Sequence, residues 1–188
     1  MMNLQERVEW LLSEAPITTK GTFDYNRKLY HISFRSDQEG VWNPRNPDGS
    51  QVKSKKKSGV RKEPNLPRIS MAPTVEQCFQ AIFPNISQYF EEKNYPHMDF
   101  YVYSPVFKGN ERVLTPTELT QKGYVHDAHM TDEHCVLDKV QMKLVQKIRV
   151  FNTNKNEFLK YKPFGNDSSE ERWFAPNHVK YTVLKTYE

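Results

Sequence analysis

The chain has 188 residues, 37% hydrophobic and 27% charged, with 11 Phe, 10 Tyr, 3 Trp and a formal net charge of +4. That length bounds it to one domain with room for an appended arm, and the aromatic content excludes a wholly disordered chain. The mean hydropathy of −0.82, with no run near the roughly 18 apolar residues of a spanning helix, excludes a helical membrane segment.

The first predicted element is an amphipathic helix in "NLQERVEWLLSE", where Leu4, Val8, Leu11 and Leu12 share a face. Pro16 and Gly21 end it. "KLYHISFR" then predicts a strand over about 28–34, with Leu29, His31 and Ser33 on one face and Tyr30, Ile32 and Phe34 on the other. A greasy face opposite a His–Ser face leaves two readings open, a solvated surface or the floor of a polar site. Residues 35–67 show neither helical nor strand periodicity and read as one long loop. "RISMA" predicts a short strand. "PTVEQCFQAIF" predicts a helix capped by Thr74, with Gln77 three residues on and Val75, Cys78, Phe79 and Ile82 as its buried stripe. "NISQYFEEKN" predicts a further short helix, and "DFYVYSPVF" a central strand buried on both sides. "TPTELTQKG" predicts a helical turn stopped by Gly123. "HCVLDKV", "MKLVQKIRVF", "FLKYKP" and "HVKYTVLKTY" predict strands. Helices early and strands late point to an α+β fold.

Positive charge is concentrated. Residues 45–68 carry eight Lys or Arg against Asp48 and Glu63, a net +6, which leaves −2 for the rest. Such a patch suits an anionic ligand or nucleic acid, and its plain alternative is a solvated lysine cluster. Arg45 in "WNPRNP" and Arg68 at the start of a strand flank this loop, and a guanidinium fork suits bidentate phosphate or carboxylate recognition. If both loop ends lie beside His31, two guanidiniums and an imidazole make an anion pocket.

"HDAHMTDEHC", residues 126–135, packs three His, three acids and a Cys into ten positions. His126, His129, His134 and Cys135 match no zinc-ligand spacing, and adjacent ligands in a strand point apart, so no metal is expected there. Glycine-rich phosphate loops and a nucleophile elbow are absent from the sequence. Cys78 lies on an apolar helix stripe and reads as an inert core thiol. The N-terminus lacks the layout of a signal peptide, and the two cysteines make no CxxC, so reduced thiols and a cytoplasmic location are expected.

The string "YHISF…WNPRNP…RISMAPTVEQCFQAI…YVYSP…GYVHDAHMTDEH" resembles a family of small phage and bacterial proteins over roughly residues 28–150. Its layout is similar to small ADP-ribosyltransferases of the rifampin-modifying and RNA 2′-phosphotransferase kinds. The resemblance implies an ADP-ribosyltransferase-like mixed β-sheet core with short helices, over residues 25–162. A helical arm (1–24) would precede it and a C-terminal strand extension (163–188) follow. It also implies NAD or a related nucleotide as ligand. His31 and Ser33 would hold the ribose or amide, and Arg45 and Arg68 the pyrophosphate. Thr131 and Glu133 would stand at the terminal acid, where a carboxylate stabilises an oxocarbenium-like sugar. Ser70 replaces the tyrosine that often stacks on nicotinamide, leaving Tyr101 or Tyr103 as the available ring. "HIS" also lacks the glycine of the family's "YHGT" strand.

Three functions follow as expectations. One is transfer of ADP-ribose from NAD to a host protein or nucleic acid, with Glu133 and His31 as catalytic residues. The second is a non-catalytic module on the same scaffold that binds a nucleotide, nucleic acid or host protein. The third is an RNA-processing transferase.

Overall fold

The computed structural model describes residues 23–46, 66–80, 90, 93–125, 128–151 and 181–188. The expected N-terminal helix, the centre of the basic loop, most of the "NISQYFEEKN" helix and the "FLKYKP" strand lie outside these residues.

Among the described residues eight antiparallel strands and a few helical segments make a mixed α+β arrangement. The strands are β1 (His31–Ser33), β2 (Gly40–Trp42), β3 (Ile69–Met71), β4 (His97–Val106), β5 (Val113–Leu114), β6 (His134–Val136), β7 (Val140–Phe151) and β8 (Tyr181–Thr186). The helices are α1 (described over 75–80), α2 (Pro116–Gln121) and α3 (Ala128–Thr131). One sheet runs β1-β4-β7-β2, with β8 also on β7, and a second runs β3-β6-β5. β2 and β8 share one edge of β7, at Val140–Met142 and Gln146–Val150 respectively. β2 falls inside the stretch the sequence assigns to a loop. Three residues around Gly40 are too few to show an alternation.

β4 is central, as its aromatic content implies, but its two faces serve different cores. Met98, Phe100 and Val102 pack with Ile32, Val75, Phe79, Ile148 and Val150. Tyr103, on the opposite face, packs with Leu29, Ile69, Met71, Val140, Met142 and Leu144. A β-bulge makes this division work. Val102 pairs with Gln146 and Tyr103 with Leu144, so Val145 is an extra residue in β7. One inserted residue reverses which way every later side chain points. Even-numbered β7 residues therefore enter the first core at 148 and 150, and the second at 140, 142 and 144.

Two isolated bridges tie the sheets together. Tyr30 pairs with Ala72 and Arg45 with Arg68, each through two main-chain hydrogen bonds of 2.8–3.1 Å. β3 thereby touches β1 at one end and β2 at the other, and the pairings close a circuit, β1-β4-β7-β2-β3-β1. Closure removes a sheet edge that would otherwise be left open.

A third apolar cluster, including Leu114, Leu119, Tyr124, Val125, Ala128, Cys135 and Leu137, joins α2 and α3 to β5 and β6. Thr115 caps α2 in a reciprocal box with Glu118. Both helices end in the same way. Gly123 (φ 67) and Asp132 (φ 50) turn left-handed, and the next amides, Tyr124 and Glu133, reach back to the Leu119 and Ala128 carbonyls at 2.9 Å. Thr74 caps α1 as expected, accepting from the Gln77 amide at 3.2 Å.

Candidate functional site

β3 is the strip on which the candidate residues meet. Its residues alternate edges, so Arg68, Ser70 and Ala72 turn their main-chain groups away from β6. Arg68 and Ala72 are taken by the two bridges. Between them the Ser70 carbonyl accepts a hydrogen bond from His31 Nδ1 at 2.8 Å. The imidazole thus fills the gap that β1 and β2 leave along β3. Trp42 stands edge-on to the ring at 4.9 Å and 84°, and its own Nε1–H donates to the Gln38 carbonyl. Burial lowers the His31 pKa, with the Ser70 bond opposing in part, so the ring is neutral at neutral pH. Nδ1 is then the donor and Nε2 keeps a lone pair.

On the side-chain face of β3, Ser70 lies across from Cys135, with Oγ and Sγ 3.9 Å apart. The Cys135 thiol donates to Glu133 Oε1 at 3.7 Å. Glu133 is only 8% exposed. Its place is set by the end of α3: Asp132 adopts its left-handed turn, accepts from Arg27 Nη2 at 2.6 Å, and offers its carbonyl to His134 Nδ1 at 2.8 Å. Burial, then the Glu133 charge, push the Cys135 thiol upward, while the Arg68 guanidinium pulls it down. Cys78, whose thiol donates to the Tyr30 carbonyl at 3.1 Å, is pushed up to about 12, chiefly by burial and also by Glu76 and Glu133. Both thiols are buried and free, and neither is a thiolate at neutral pH.

The structure therefore brings His31, Ser70, Glu133, Arg68 and Arg45 into one contiguous strip. Arg45 is exposed and Arg68 half-buried. They face each other across a hydrogen-bonded antiparallel pair, where side chains lie on the same side with Cα atoms about 5.5 Å apart.

Three expected residues go elsewhere. Ser33 Oγ donates to Gln38 Oε1 at 2.7 Å and accepts from the Arg35 amide, closing the turn after β1. Tyr103 is fully buried, its hydroxyl donating to the Arg35 carbonyl at 2.7 Å and accepting from the Gln38 amide. Thr131 is 1% exposed and its hydroxyl donates to the Ala128 carbonyl at 3.4 Å, inside its own helix. Each makes a structural bond. The contacts of Trp42 with His31 and of Cys135 with Ser70 are ones that local pattern does not reveal, because they join positions more than ten and more than sixty residues apart.

Of the "HDAHMTDEHC" group, His126 lies outside the described residues and His129 is exposed. His134 opposes Met71 and Cys135 opposes Ser70, on opposite faces of the sheet. Among the described residues no three His, Cys, Asp or Glu side chains converge as ligands for a metal ion. No described helix is long and apolar enough to cross a membrane.

No protein-family model, no curated protein and no solved structure matches the chain.

Proposed function

We propose that the chain is a nucleotide-binding module whose phosphate-recognition centre is the Arg45–Arg68 bridge at the root of the basic loop. The observation that carries this reading is the bridge itself: two arginines, 23 positions apart in sequence, are fixed opposite each other by paired main-chain bonds. Holding the backbone of both residues removes much of the ordering cost of gripping a phosphate between two forks. The neutral imidazole of His31, two residues along β3 at the Ser70 carbonyl, is a neighbouring acceptor for a ribose hydroxyl. The sequence also concentrates eight Lys or Arg over 45–68, a composition suited to a polyanionic ligand.

A specific observation favours a second reading, transfer of ADP-ribose from NAD on an ADP-ribosyltransferase-like core. Glu133, the carboxylate such chemistry needs, stands on the same strip as Ser70 and Arg68. Its deep burial and the structural duties of Ser33, Tyr103 and Thr131 weigh against turnover. Binding without chemistry is the leading conclusion.

Calorimetric titration with NAD, ADP-ribose and ATP tests both readings. Arg45→Ala with Arg68→Ala is expected to weaken binding by tenfold or more, the loss of a charge-assisted contact being worth about 1.5–3 kcal/mol. Glu133→Gln is expected to leave binding unchanged. If labelled NAD modifies a protein or nucleic acid and Glu133→Gln abolishes the label, the enzymatic reading replaces the binding one. Absence of binding to all three nucleotides overturns both.

A further inference from the structure

The far end of the larger sheet carries a second concentration of rings and cations, on the face that holds His31 and Tyr103. Register places Ser33, Tyr101, Lys147 and Lys185 in one row across β1, β4, β7 and β8. The next row is Asp99, Arg149 and Thr182. Four strands at about 4.8 Å spacing make a platform roughly 14 Å wide. Lys147 Nζ lies 5.7 Å from the centre of the Tyr101 ring, and Lys185 Nζ lies 4.5 Å from that of Tyr187. In these two rows three cations face one carboxylate, and Asp99 is already engaged by Lys147 at 3.0 Å and Arg149 at 2.7 Å.

We propose that this face is a contact surface for a single-stranded nucleic acid, with Tyr101 and Tyr187 as stacking rings and Lys147, Lys185 and Arg149 following the phosphates. Charge complementarity commits the face to a polyanion. The coincidence of each lysine with a tyrosine ring separates a nucleic acid from an acidic peptide, which would need the cations alone. A base stacking on either ring displaces the ammonium toward the adjoining phosphate, so the lysine exchanges a weak ring contact for an ionic one. Stacking on tyrosine tolerates any base, so this surface predicts affinity with little sequence preference. The proposal rests on the reading of the chain as a binder of phosphate-bearing ligands, and adds the polymer as the ligand class.

The test is fluorescence anisotropy of the full chain with 5′-labelled twelve-residue oligo-U and oligo-dT across a salt series. Lys147→Gln with Lys185→Gln is expected to weaken binding about tenfold. It should also flatten the slope of log affinity against log salt by about 1.4, the value for two lost phosphate contacts on a single strand. Tyr101→Leu with Tyr187→Leu, which keeps apolar packing, should weaken binding by about fivefold or more with the slope unchanged. Should the tyrosine variant prove unfolded by circular dichroism, the slope of the lysine variant decides. Affinity and slope unchanged in the lysine variant, while Arg45→Ala with Arg68→Ala abolishes binding, overturns this surface and leaves the arginine centre standing. Equal competition by an oligo-glutamate peptide overturns it in favour of an acidic protein partner. A chain that binds neither nucleotides nor oligonucleotides sinks both proposals.

Discussion

His31 shows how one side chain can hold two sheets together. Its ring replaces a strand residue at the Ser70 carbonyl and is buttressed by Trp42. His134, 1% exposed, plays a parallel part at the end of α3, binding the Asp132 carbonyl and packing 5.7 Å from the Phe23 ring. Burial lowers the pKa of both imidazoles. The unfolded chain takes up these protons near pH 6.5 while the folded one resists them. Stability is therefore full above about pH 6.5 and falls as the pH drops below it, because the unfolded state then binds more protons. The expected outcome is a lower urea midpoint at pH 5 than at pH 8. The loss should shrink when His31 is replaced by Gln, which keeps a donor but does not titrate in this range. Asp99, held down to about 2 chiefly by Arg149, loses its contribution only below its ordinary range near 4, so it does not blur this window. A midpoint flat from pH 8 to 5 would contradict the assignment. The sequence marks His31 as unusual, a polar ring alternating with apolar neighbours. It does not reveal the role, because the partner is a main-chain carbonyl 39 residues away. Ser33, Tyr103 and Thr131 are hidden in the same way: an alcohol or phenol that satisfies a backbone group looks, in a string of letters, like one awaiting a ligand.

Among the elements β7 is the most legible and the most deceptive. "MKLVQKIRVF" alternates openly and predicts a strand over 142–151. β7 begins two residues earlier, at Val140, which the sequence reading assigns to the strand "HCVLDKV", and β6 stops at Val136. A uniform alternation implies one buried face, yet the chain fills two cores on opposite faces from one series of even-numbered residues. The extra residue at Val145 does this, and a bulge leaves no compositional mark. Deleting Val145 is expected to send either Ile148 and Val150 or Val140, Met142 and Leu144 to the wrong face. The cost exceeds the 4–5 kcal/mol that few single changes reach, so the deletion variant should lack near-ultraviolet dichroism and be cleaved rapidly by protease. A folded variant with native dichroism would show that the bulge is dispensable. By contrast α2 lies in the stretch the sequence marks as a helical turn, stopped at Gly123 as expected, and the structure adds the Thr115–Glu118 box. Thr115, Glu118 and Gly123 are local signals, each acting within four positions of its partner.

At the scale of the molecule, stability depends on the closed pairing circuit as much as on either core. The bridges at Tyr30–Ala72 and Arg45–Arg68 are a single residue pair each, yet each joins strands rooted in different clusters. Opening either one exposes an edge of β3 that carries Ser70 and the His31 contact. Hydrogen exchange is the direct check. The amides of Tyr30, Ala72, Arg45 and Arg68 are expected to exchange at rates close to those of the β4 interior, as parts of one cooperative unit. Rates like those of fraying ends would mean that the two sheets open independently. None of this closure can be read from composition or periodicity, since it joins positions 23 and 42 residues apart through main-chain groups common to every sequence.

The Arg45–Arg68 pairing also works as a neck. It fixes the separation of two positions 23 apart in sequence through main-chain bonds, so exchanging either side chain leaves the spacing of the two strands intact. Leu66, packed against the third apolar cluster, anchors the same stretch of chain from the other side. A side chain placed at 45 or 68 is thereby presented from a frame that its own identity does not set, which makes these two positions the natural place to vary what the strip recognises.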